Sequence, residues 1–339
     1  MKNNKKLKIW RWILLGILVF LWYKILFANN FSYQKTITIK EWDTFQTFLT
    51  DFSWKQKTQI KWHVKRNDID FSKLQMGSYI FSWLYSPKTF VETILEGPRV
   101  SYHTVRILEW RSVYDIDNSL SKKGVIETWE YISFVTDQKI INKYQQRYSF
   151  LKNAWSIKTL EGFLYPDTYK VDIEKNIIDQ LVYLQLETFK KRVWDKSKEI
   201  NPQVWMDWYK TIIMASIVEK EERVEKNRPV VAWILIKRLQ IGMLIGADIS
   251  LCYFFKIPYA DCTPSFIARN VFDTKNPYNT RTVAGLPPTP VGNPTLNSIM
   301  ASLQPTYTDY LYYLHDNKGQ IYYGKTLEEH NANKRNYLR

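Results

Sequence analysis

The residues best placed to do chemistry end an apolar run at 211–222, Thr-Ile-Ile-Met-Ala-Ser-Ile-Val-Glu-Lys-Glu-Glu. On a helix, Ile212, Ala215, Ser216 and Glu219 recur at i, i+3, i+4 and i+7, so they share one face. The Glu219 carboxyl group then ends an apolar stripe, where desolvation favours its protonated form. General acid catalysis needs such a protonated carboxyl group. The alternative is that Glu219 opens a solvated charge cluster.

The elements that would position Glu219 can be read from the patterns around it. Helices are predicted near 174–197, near 228–238 and at 296–303, and strands 310–315 and 320–324 form a hairpin that turns at 317–319. Residues between the second and third of these helices form loops rich in Pro, Asn and Thr. We assign residues 155–339 to one catalytic domain of mixed α+β class.

The N-terminus combines a basic tail with an apolar segment. Residues 1–11 carry five basic side chains and no acidic one, and residues 12–28 are apolar apart from Lys24. About 17 residues is the short end of a membrane span. The basic flank predicts a single-pass anchor in the cell membrane, with a cytoplasmic N-terminus and an extracytoplasmic remainder. The alternative is a cleaved signal peptide, but Ala28-Asn-Asn is a poor cleavage site.

Composition restricts the partners. The chain of 339 residues has 48 Lys and Arg against 33 Asp and Glu, a net charge of +15, which suits an anionic partner. It has no HExxH or CxxC motif, so we predict no metal and no cofactor. An extracytoplasmic domain without a basic–aromatic motif argues against nucleic acid. Cys252 and Cys262 could pair outside the cell, and the sequence leaves this open.

Two stretches before the catalytic domain repeat one pattern. Residues 36–49 and 104–116 each predict an alternating strand, a tight turn at Glu-Trp and an amphipathic helix. Further elements are predicted as a strand at 74–81 and a helix at 86–95. We therefore predict one α+β module at 32–98, and a second module with a linker at 101–154. Both resemble LysM-like glycan-binding modules, although they could equally be spacers.

The tryptophan count is unusual. The chain has 14 Trp and 11 Gly, whereas average usage predicts roughly 24 Gly for this length. Several Trp, including Trp42 and Trp110, occupy positions where a turn favours Gly. Some bacterial lineages read UGA codons as glycine, and we hypothesise that many of these Trp are such codons. The alternative is a Trp-rich protein that stacks on sugars.

Six motifs in order resemble one family, the YceG-like endolytic murein transglycosylases. They are Leu-Glu-Gly-Phe-Leu-Tyr-Pro-Asp-Thr-Tyr at 160–169, Ala-Ser-Ile-Val-Glu-Lys-Glu at 215–221, Arg-Leu-Gln-Ile-Gly-Met at 238–243, Asn-Pro-Tyr-Asn-Thr at 276–280, Gly-Leu-Pro-Pro at 285–288 and His-Asn at 330–331. The match covers the catalytic domain well and the N-terminal part more loosely. One departure is Ala-Asp-Ile-Ser at 247–250, where the family often has Thr-Asp-Pro-Thr.

The resemblance implies both an activity and a catalytic residue. Glu219 corresponds to the family's catalytic glutamate. The implied reaction cleaves the β-1,4 bond between N-acetylmuramic acid and N-acetylglucosamine within nascent peptidoglycan strands. It leaves 1,6-anhydro ends and terminates strand elongation. The family also implies partners in the cell-wall synthesis machinery, which the sequence does not name.

One carboxyl group can serve this reaction, because the muramic C6 hydroxyl replaces water as the attacking group. A hydrolysing glycosidase normally needs two carboxyl groups, and a muramidase using Glu219 with Asp248 is one alternative. A non-catalytic, anchored peptidoglycan-binding protein is another. Substrate contacts are predicted for Asp248, Tyr278, Asn279, Thr280 and Ser216, whereas Glu161 and Asp167 are predicted to be structural.

Overall fold

The structure, a computed structural model, describes residues 12–17, 30–40, 43–72, 74–81, 84–98, 102–154, 157–172 and 175–338. The chain divides into two compact units. The first comprises Met1–His103 with Asp172–Glu174, and the second comprises Thr104–Val171 with Lys175–Arg339. The helix that carries Glu219 belongs to the second unit.

The N-terminal segment is described only in part. Residues 12–17 are helical and are designated α1. Among the described residues, no helix has both the length and the apolar character that crossing a membrane requires. The anchor predicted at 12–28 extends over residues 18–28, which lie outside the described ranges. The anchor therefore remains a prediction from sequence.

The first unit is a small α+β module around an antiparallel strand pair. Its elements are β1 (Phe31–Ser32), β2 (Lys35–Ile39), α2 (Phe45–Phe48), α3 (Trp54–Arg66), β3 (Gly77–Phe81), β4 (Leu84–Tyr85) and α4 (Pro87–Leu95). Strand β2 pairs with β3 in a register that places Ile37 opposite Tyr79. Successive side chains of a strand point to opposite faces, so one face of the pair contributes Ile37, Ile39, Tyr79 and Phe81 to a single core. The strands and helices predicted around 36–49, 74–81 and 86–95 are thus present.

Helix α3 is a 13-residue element that the sequence analysis did not predict. Its residues are mostly polar, and only Gln59 and Ile60 are fully buried, so the apolar periodicity is weak. Its start has a local signal, however. Ser53 and Gln56 form a capping box that satisfies the first backbone N–H groups. Whether this unit binds glycan as LysM modules do remains a prediction.

The second unit is mainly helical, with two strand pairs. Its elements before the helix that carries Glu219 are β5 (Tyr102–Arg106), α5 (Val113–Lys122), α6 (Glu130–Thr136), α7 (Gln138–Arg147), α8 (Ser149–Lys152), β6 (Thr168–Asp172), α9 (Ile177–Phe189), a π-helical turn (Lys190–Trp194) and α10 (Asp195–Ser197). The remaining elements are α11 (Trp208–Glu221), α12 (Arg228–Gln240), α13 (Asp248–Phe254), α14 (Pro264–Asn270), α15 (Leu296–Leu303), β7 (Tyr312–His315), β8 (Ile321–Gly324) and α16 (Leu327–Tyr337).

Two large apolar clusters, with a smaller one around Leu251, form the core of this unit. The larger joins α5–α9 to one face of α11 through Ile212 and Ala215. The second packs the opposite face of α11 against α12 and the β7–β8 hairpin. Residues 104–154 share a core with α11 and belong to the same compact unit. The boundary predicted between residues 98 and 101 lies near the start of this unit at Thr104, whereas the boundary predicted at 154 lies inside it. The strand and helix predicted at 104–116 exist as β5 and α5, but they are built into the larger unit.

The region expected to be looped contains helices α13 and α14, each of seven residues. Two turns of helix give too short a periodic pattern to recognise. The chain also continues past the predicted hairpin into α16, where Tyr337 stacks on Tyr322. Cys252 of α13 forms a disulfide with Cys262, which answers the pairing question that the sequence left open.

Two tryptophans adopt a backbone conformation that favours glycine. Trp110 has φ of 61° and Trp129 has φ of 71°, and among the described residues only Asp68 and Lys256 share this property without being glycine. Left-handed backbone costs an L-residue about 1–2 kcal/mol because its Cβ crowds the following carbonyl oxygen. Both positions therefore agree with the hypothesis that glycine belongs there.

Replacing Trp129 by glycine is expected to stabilise the protein by about 1 kcal/mol, since the indole is largely exposed and glycine relieves the left-handed strain. Trp205→Gly is the matched control, because Trp205 is also exposed but has no positive φ. Thermal unfolding of both variants measures the difference. Equal losses of stability in the two variants would contradict the strain argument, and UGG codons at both positions would exclude recoding.

Candidate active site

Helix α11 carries Glu219 in its last turn. Asp207 caps the helix start by accepting a hydrogen bond from the Lys210 N–H at 2.8 Å. Every residue from Thr211 to Glu219 is buried, because both core clusters pack against this helix. Its apolar residues are therefore distributed all round, and they do not form the single stripe predicted from sequence.

Glu219 is 3% exposed, and two residues hold its carboxyl group. Its Oε2 accepts hydrogen bonds from the Thr295 N–H at 2.9 Å and the Thr295 hydroxyl at 2.7 Å. Arg228 places Nη2 3.0 Å from Oε1 and Nη1 3.4 Å from Oε2. The prediction of a buried carboxyl group is confirmed, but the prediction of an apolar setting is wrong. The group is in contact with a buried guanidinium and accepts charge-assisted hydrogen bonds.

The two oxygens of Glu219 differ in their partners. Oε2 is bound by Thr295 and Arg228, whereas Oε1 accepts no well-aligned hydrogen bond from the described residues. The 3.0 Å contact from Arg228 to Oε1 is an ion pair without hydrogen-bond geometry. Glu219 lines a cavity of about 600 Å³. One carboxyl oxygen is thus fixed by hydrogen bonds, while the other is buried beside Arg228 and accepts no hydrogen bond from the described residues.

Arg228 is fixed in turn. It opens helix α12, where its Nε donates to the Glu222 carbonyl at 3.0 Å and its Nη1 donates to the Thr295 hydroxyl at 3.1 Å. Sequence analysis missed both Arg228 and Thr295, which lie nine and 76 residues from Glu219. Their only sequence signals are an Arg-Pro helix start and the Gly-Asn-Pro-Thr segment at 292–295. Neither signal indicates contact with Glu219.

Glu161 holds the segment that carries Thr295. Its Oε1 accepts from the Asn293 side-chain amide at 2.6 Å, and its Oε2 accepts from the Val113 N–H at 2.8 Å. The Asn293 Oδ1 accepts from the Gly162 and Leu164 N–H groups. Burial raises the pKa of Glu161 to about 8. These bonds agree with the structural role predicted for Glu161.

Gly162 is required where this turn meets the catalytic helix. Its φ is 91°, and a Cβ atom there would lie 2.7 Å from Ile212 and 2.6 Å from Pro290. No side chain fits that space, so the Leu-Glu-Gly-Phe motif can press directly against α11. Asp167, the other residue predicted to be structural, forms an ion pair with Arg192 at 2.6 Å.

Asp248 and Tyr278, both predicted to contact substrate, do not line the Glu219 cavity. The Asp248 carboxylate pairs with Arg281. The Tyr278 hydroxyl bonds to the Thr289 hydroxyl at 2.9 Å, and its ring packs against Tyr253. Their predicted contact with substrate remains untested.

The other three predicted substrate residues are buried and hold loops together. Asn279 donates to the carbonyls of residues 271 and 273, and the Thr280 hydroxyl bonds to the backbone of Ala247. The Ser216 hydroxyl accepts from the Val291 N–H at 3.0 Å, which ties the loop before Thr295 to the catalytic helix. The side chain of Ser216, like that of Ala215, packs inside the protein.

Two further carboxylates anchor the end of α11 to the hairpin. Glu221 accepts from the Tyr313 hydroxyl at 2.8 Å, and Glu222 contacts the His315 ring at 3.1 Å. The cluster Glu-Lys-Glu-Glu at 219–222 is therefore largely buried, not a solvated face. The described residues contain no group of three or more His, Cys, Asp and Glu side chains arranged to hold a metal ion.

The fold and site together define an α+β protein with one buried, arginine-held carboxyl group at the wall of a cavity. The YceG-like family model matches residues 34–336. The chain therefore belongs to the YceG-like family.

Relatives in this family have an assigned activity. The endolytic murein transglycosylase of Bacillus subtilis (strain 168) is 24% identical over 296 residues, which cover 84% of this chain and 78% of the relative. The endolytic murein transglycosylase of Streptococcus pneumoniae serotype 2 is 27% identical over 224 residues, 60% of this chain and 38% of that longer protein. A crystal structure of a YceG-like protein from Listeria monocytogenes has a TM-score of 0.55 and 26% identity, covering 89% of this chain and 99% of the other.

Removing the Arg228 guanidinium should destabilise the protein by about 3–5 kcal/mol, because Arg228→Met leaves a buried carboxylate without its counter-charge. Adding Glu219→Gln should restore much of this loss, since a neutral amide needs no counter-charge. Both variants lose the other hydrogen bonds of Arg228, so the difference between their free energies of unfolding reports the cost of the unpaired Glu219 charge. Urea unfolding measures it, and a double variant no more stable than Arg228→Met would disprove the ion-pair argument.

Proposed function

We propose that the protein is a lytic transglycosylase of peptidoglycan, a lyase that cleaves the β-1,4 bond between N-acetylmuramic acid and N-acetylglucosamine within a strand. The observation that carries the proposal is the Glu219 carboxyl group, which is buried, held by Arg228 and Thr295, and part of the lining of a cavity. Membership of the YceG-like family supports it, as do relatives named endolytic murein transglycosylases.

The reaction needs a single carboxyl group used twice. Protonated Glu219 donates its proton to the glycosidic oxygen, and the bond from that oxygen to muramic C1 breaks. The Glu219 carboxylate then accepts the proton of the muramic C6 hydroxyl, whose oxygen bonds to C1 and closes the 1,6-anhydro ring. Arg228 and Thr295 bind the carboxylate that exists between the two proton transfers. Groups that stabilise charge as it develops lower the barrier, because they act more strongly on the transition state than on the substrate.

Hydrolysis by Glu219 together with Asp248 has less support. Asp248 pairs with Arg281 and does not line the cavity that contains Glu219. A hydrolysing glycosidase places its two carboxyl groups on either side of the scissile bond. Glu109 does line this cavity, so Glu109→Gln belongs in any test of a second carboxyl group.

Replacing Glu219 by glutamine should reduce strand cleavage by at least about 10²–10⁴-fold, because the amide cannot transfer a proton. Mass spectrometry of digested peptidoglycan should show 1,6-anhydro ends with the wild type and none with the variant. Asp248→Asn is the matched control and should retain anhydro product. Reducing ends in place of anhydro ends would favour a muramidase, and strand binding without new ends would favour a non-catalytic binding protein.

We further propose that the enzyme acts outside the cytoplasm on nascent strands, held by a single-pass anchor at 12–28, and that cleavage terminates strand elongation. The basic tail at 1–11 and the apolar run that follows it support this location. LysM-like glycan binding by the N-terminal module and contact with the cell-wall synthesis machinery belong to the same proposal.

Deleting residues 1–28 should move the protein from the membrane fraction to the soluble fraction, because the remaining described residues contain no helix able to span a membrane. Changing the five basic residues of the tail to glutamine tests orientation separately, since basic flanks remain in the cytoplasm. Cell fractionation and protease protection measure the two effects. A deleted chain that still sediments with membranes and resists alkaline extraction would refute the anchor.

A further inference from the structure

The cavity beside Glu219 carries more positive charge than the protein neutralises. Its lining includes four basic residues and two acidic ones, namely Arg111, Lys220, Arg223, Arg228, Glu109 and Glu219. Glu219 matches Arg228, and Asp115 matches Arg111 at 3.0 Å. The cations left over are Arg223 and Lys220, with only Glu109 opposing them within the lining. A cavity of this kind attracts anions.

Arg223 is the accessible cation. It follows directly after Glu222, the residue at which α11 ends in extended backbone. Its side chain is exposed and makes no hydrogen bond or ion pair with any described residue. A guanidinium offers a planar pair of N–H donors that matches a carboxylate in two parallel hydrogen bonds. Arg223 lies four residues from Glu219, so such an anion would be held close to the reacting bond.

Lys220 contributes charge from beneath the cavity surface. Its ammonium group lies 2.9 Å from the centre of the Tyr259 ring and has no hydrogen-bond partner among the described residues. Burial lowers the pKa of Lys220 to about 7, although Asp115 and Glu161 favour its charged form. A bound anion would favour the protonated amine further, and the amine would in turn attract the anion.

The neighbouring cavity lacks this excess. It has a volume of about 470 Å³, shares Glu109 with the first, and contains two arginines and two carboxylates, Arg106, Arg192, Glu109 and Asp167. Arg192 and Asp167 neutralise each other. The excess of positive charge is therefore found in the cavity that contains Arg223 and not in the neighbouring cavity.

We propose that Arg223, supported by the charge of Lys220, forms a carboxylate-binding subsite for the substituent on the muramic residue. The subsite makes the enzyme prefer strands whose muramic residues carry a free carboxylate. The inference rests on the proposed function. Two sources share the chemistry, because a stem peptide carries carboxylates and the lactyl group becomes one when the peptide is removed.

The test compares full-length wild type and Arg223→Gln on peptide-bearing strands, on strands stripped of peptide by an amidase, and on both after carbodiimide and ammonia convert carboxylates to amides. Release of anhydro ends gives kcat/KM. The variant should lose about tenfold on strands with carboxylates and little on amidated ones, and the wild type should lose a similar factor on amidation. A loss on unmodified peptide-bearing strands assigns the carboxylate to the stem peptide. A loss on unmodified stripped strands assigns it to the lactyl group. Lys226→Gln is the control, an exposed basic residue outside the cavity.

Equal losses on native and amidated strands would overturn the subsite, since Arg223 would then only shape the cavity. An unchanged kcat/KM on every strand would overturn it as well. Binding measured in the Glu219→Gln background, with and without Arg223→Gln, provides a readout without turnover. If the wild type forms no anhydro ends but binding still depends on Arg223 and on carboxylates, the proposed reaction fails while the subsite stands.

Discussion

The burial of one carboxyl group at the end of helix α11 is the constraint on which the rest of the site depends. A charge removed from water is costly unless it is paired and hydrogen-bonded. Here Arg228 supplies the charge and Thr295 supplies two hydrogen bonds. Both must come from elsewhere in the chain, so α12 and the segment before α15 have to converge on the last turn of α11.

That convergence explains the buried polar network around the site. The segment carrying Thr295 is buried from 289 to 295, and hydrogen bonds fix it together with the packing of Val291 in the core. Ser216 holds Val291, and Glu161 holds Asn293. Buried networks of this kind specify one arrangement when every member is satisfied. The same residues that secure the loop therefore align the Thr295 donors on Glu219.

Much of the fold could be predicted from local pattern. The helices around 174–197, 228–238 and 296–303 and the closing hairpin are all present, because long apolar periodicity and an Asn-Lys-Gly turn are strong local signals. Polar α3, the short helices α13 and α14, and terminal α16 carry weak periodicity and were missed. Residues 101–154 were assigned to a separate module, because local pattern does not show which helices share a core.

The site was predictable only at its centre. Glu219 follows an apolar run that is visible in the sequence. Arg228 and Thr295 can be recognised only from the tertiary contacts that bring them to Glu219. Loops rich in polar residues suggested substrate contacts at Asn279 and Thr280, yet these side chains satisfy backbone groups. A polar residue in a motif can be there to fold a loop, and sequence alone does not separate that role from binding.

The disulfide between Cys252 and Cys262 encloses part of the cavity wall. Tyr259 and Ala260, which line the cavity, lie between the two cysteines, whose sequence separation is 10. A cross-link limits the conformations open to such a segment before folding, and disulfides persist where thiols are not kept reduced. The redox state of the surrounding compartment thus governs how firmly one wall of the catalytic cavity is held.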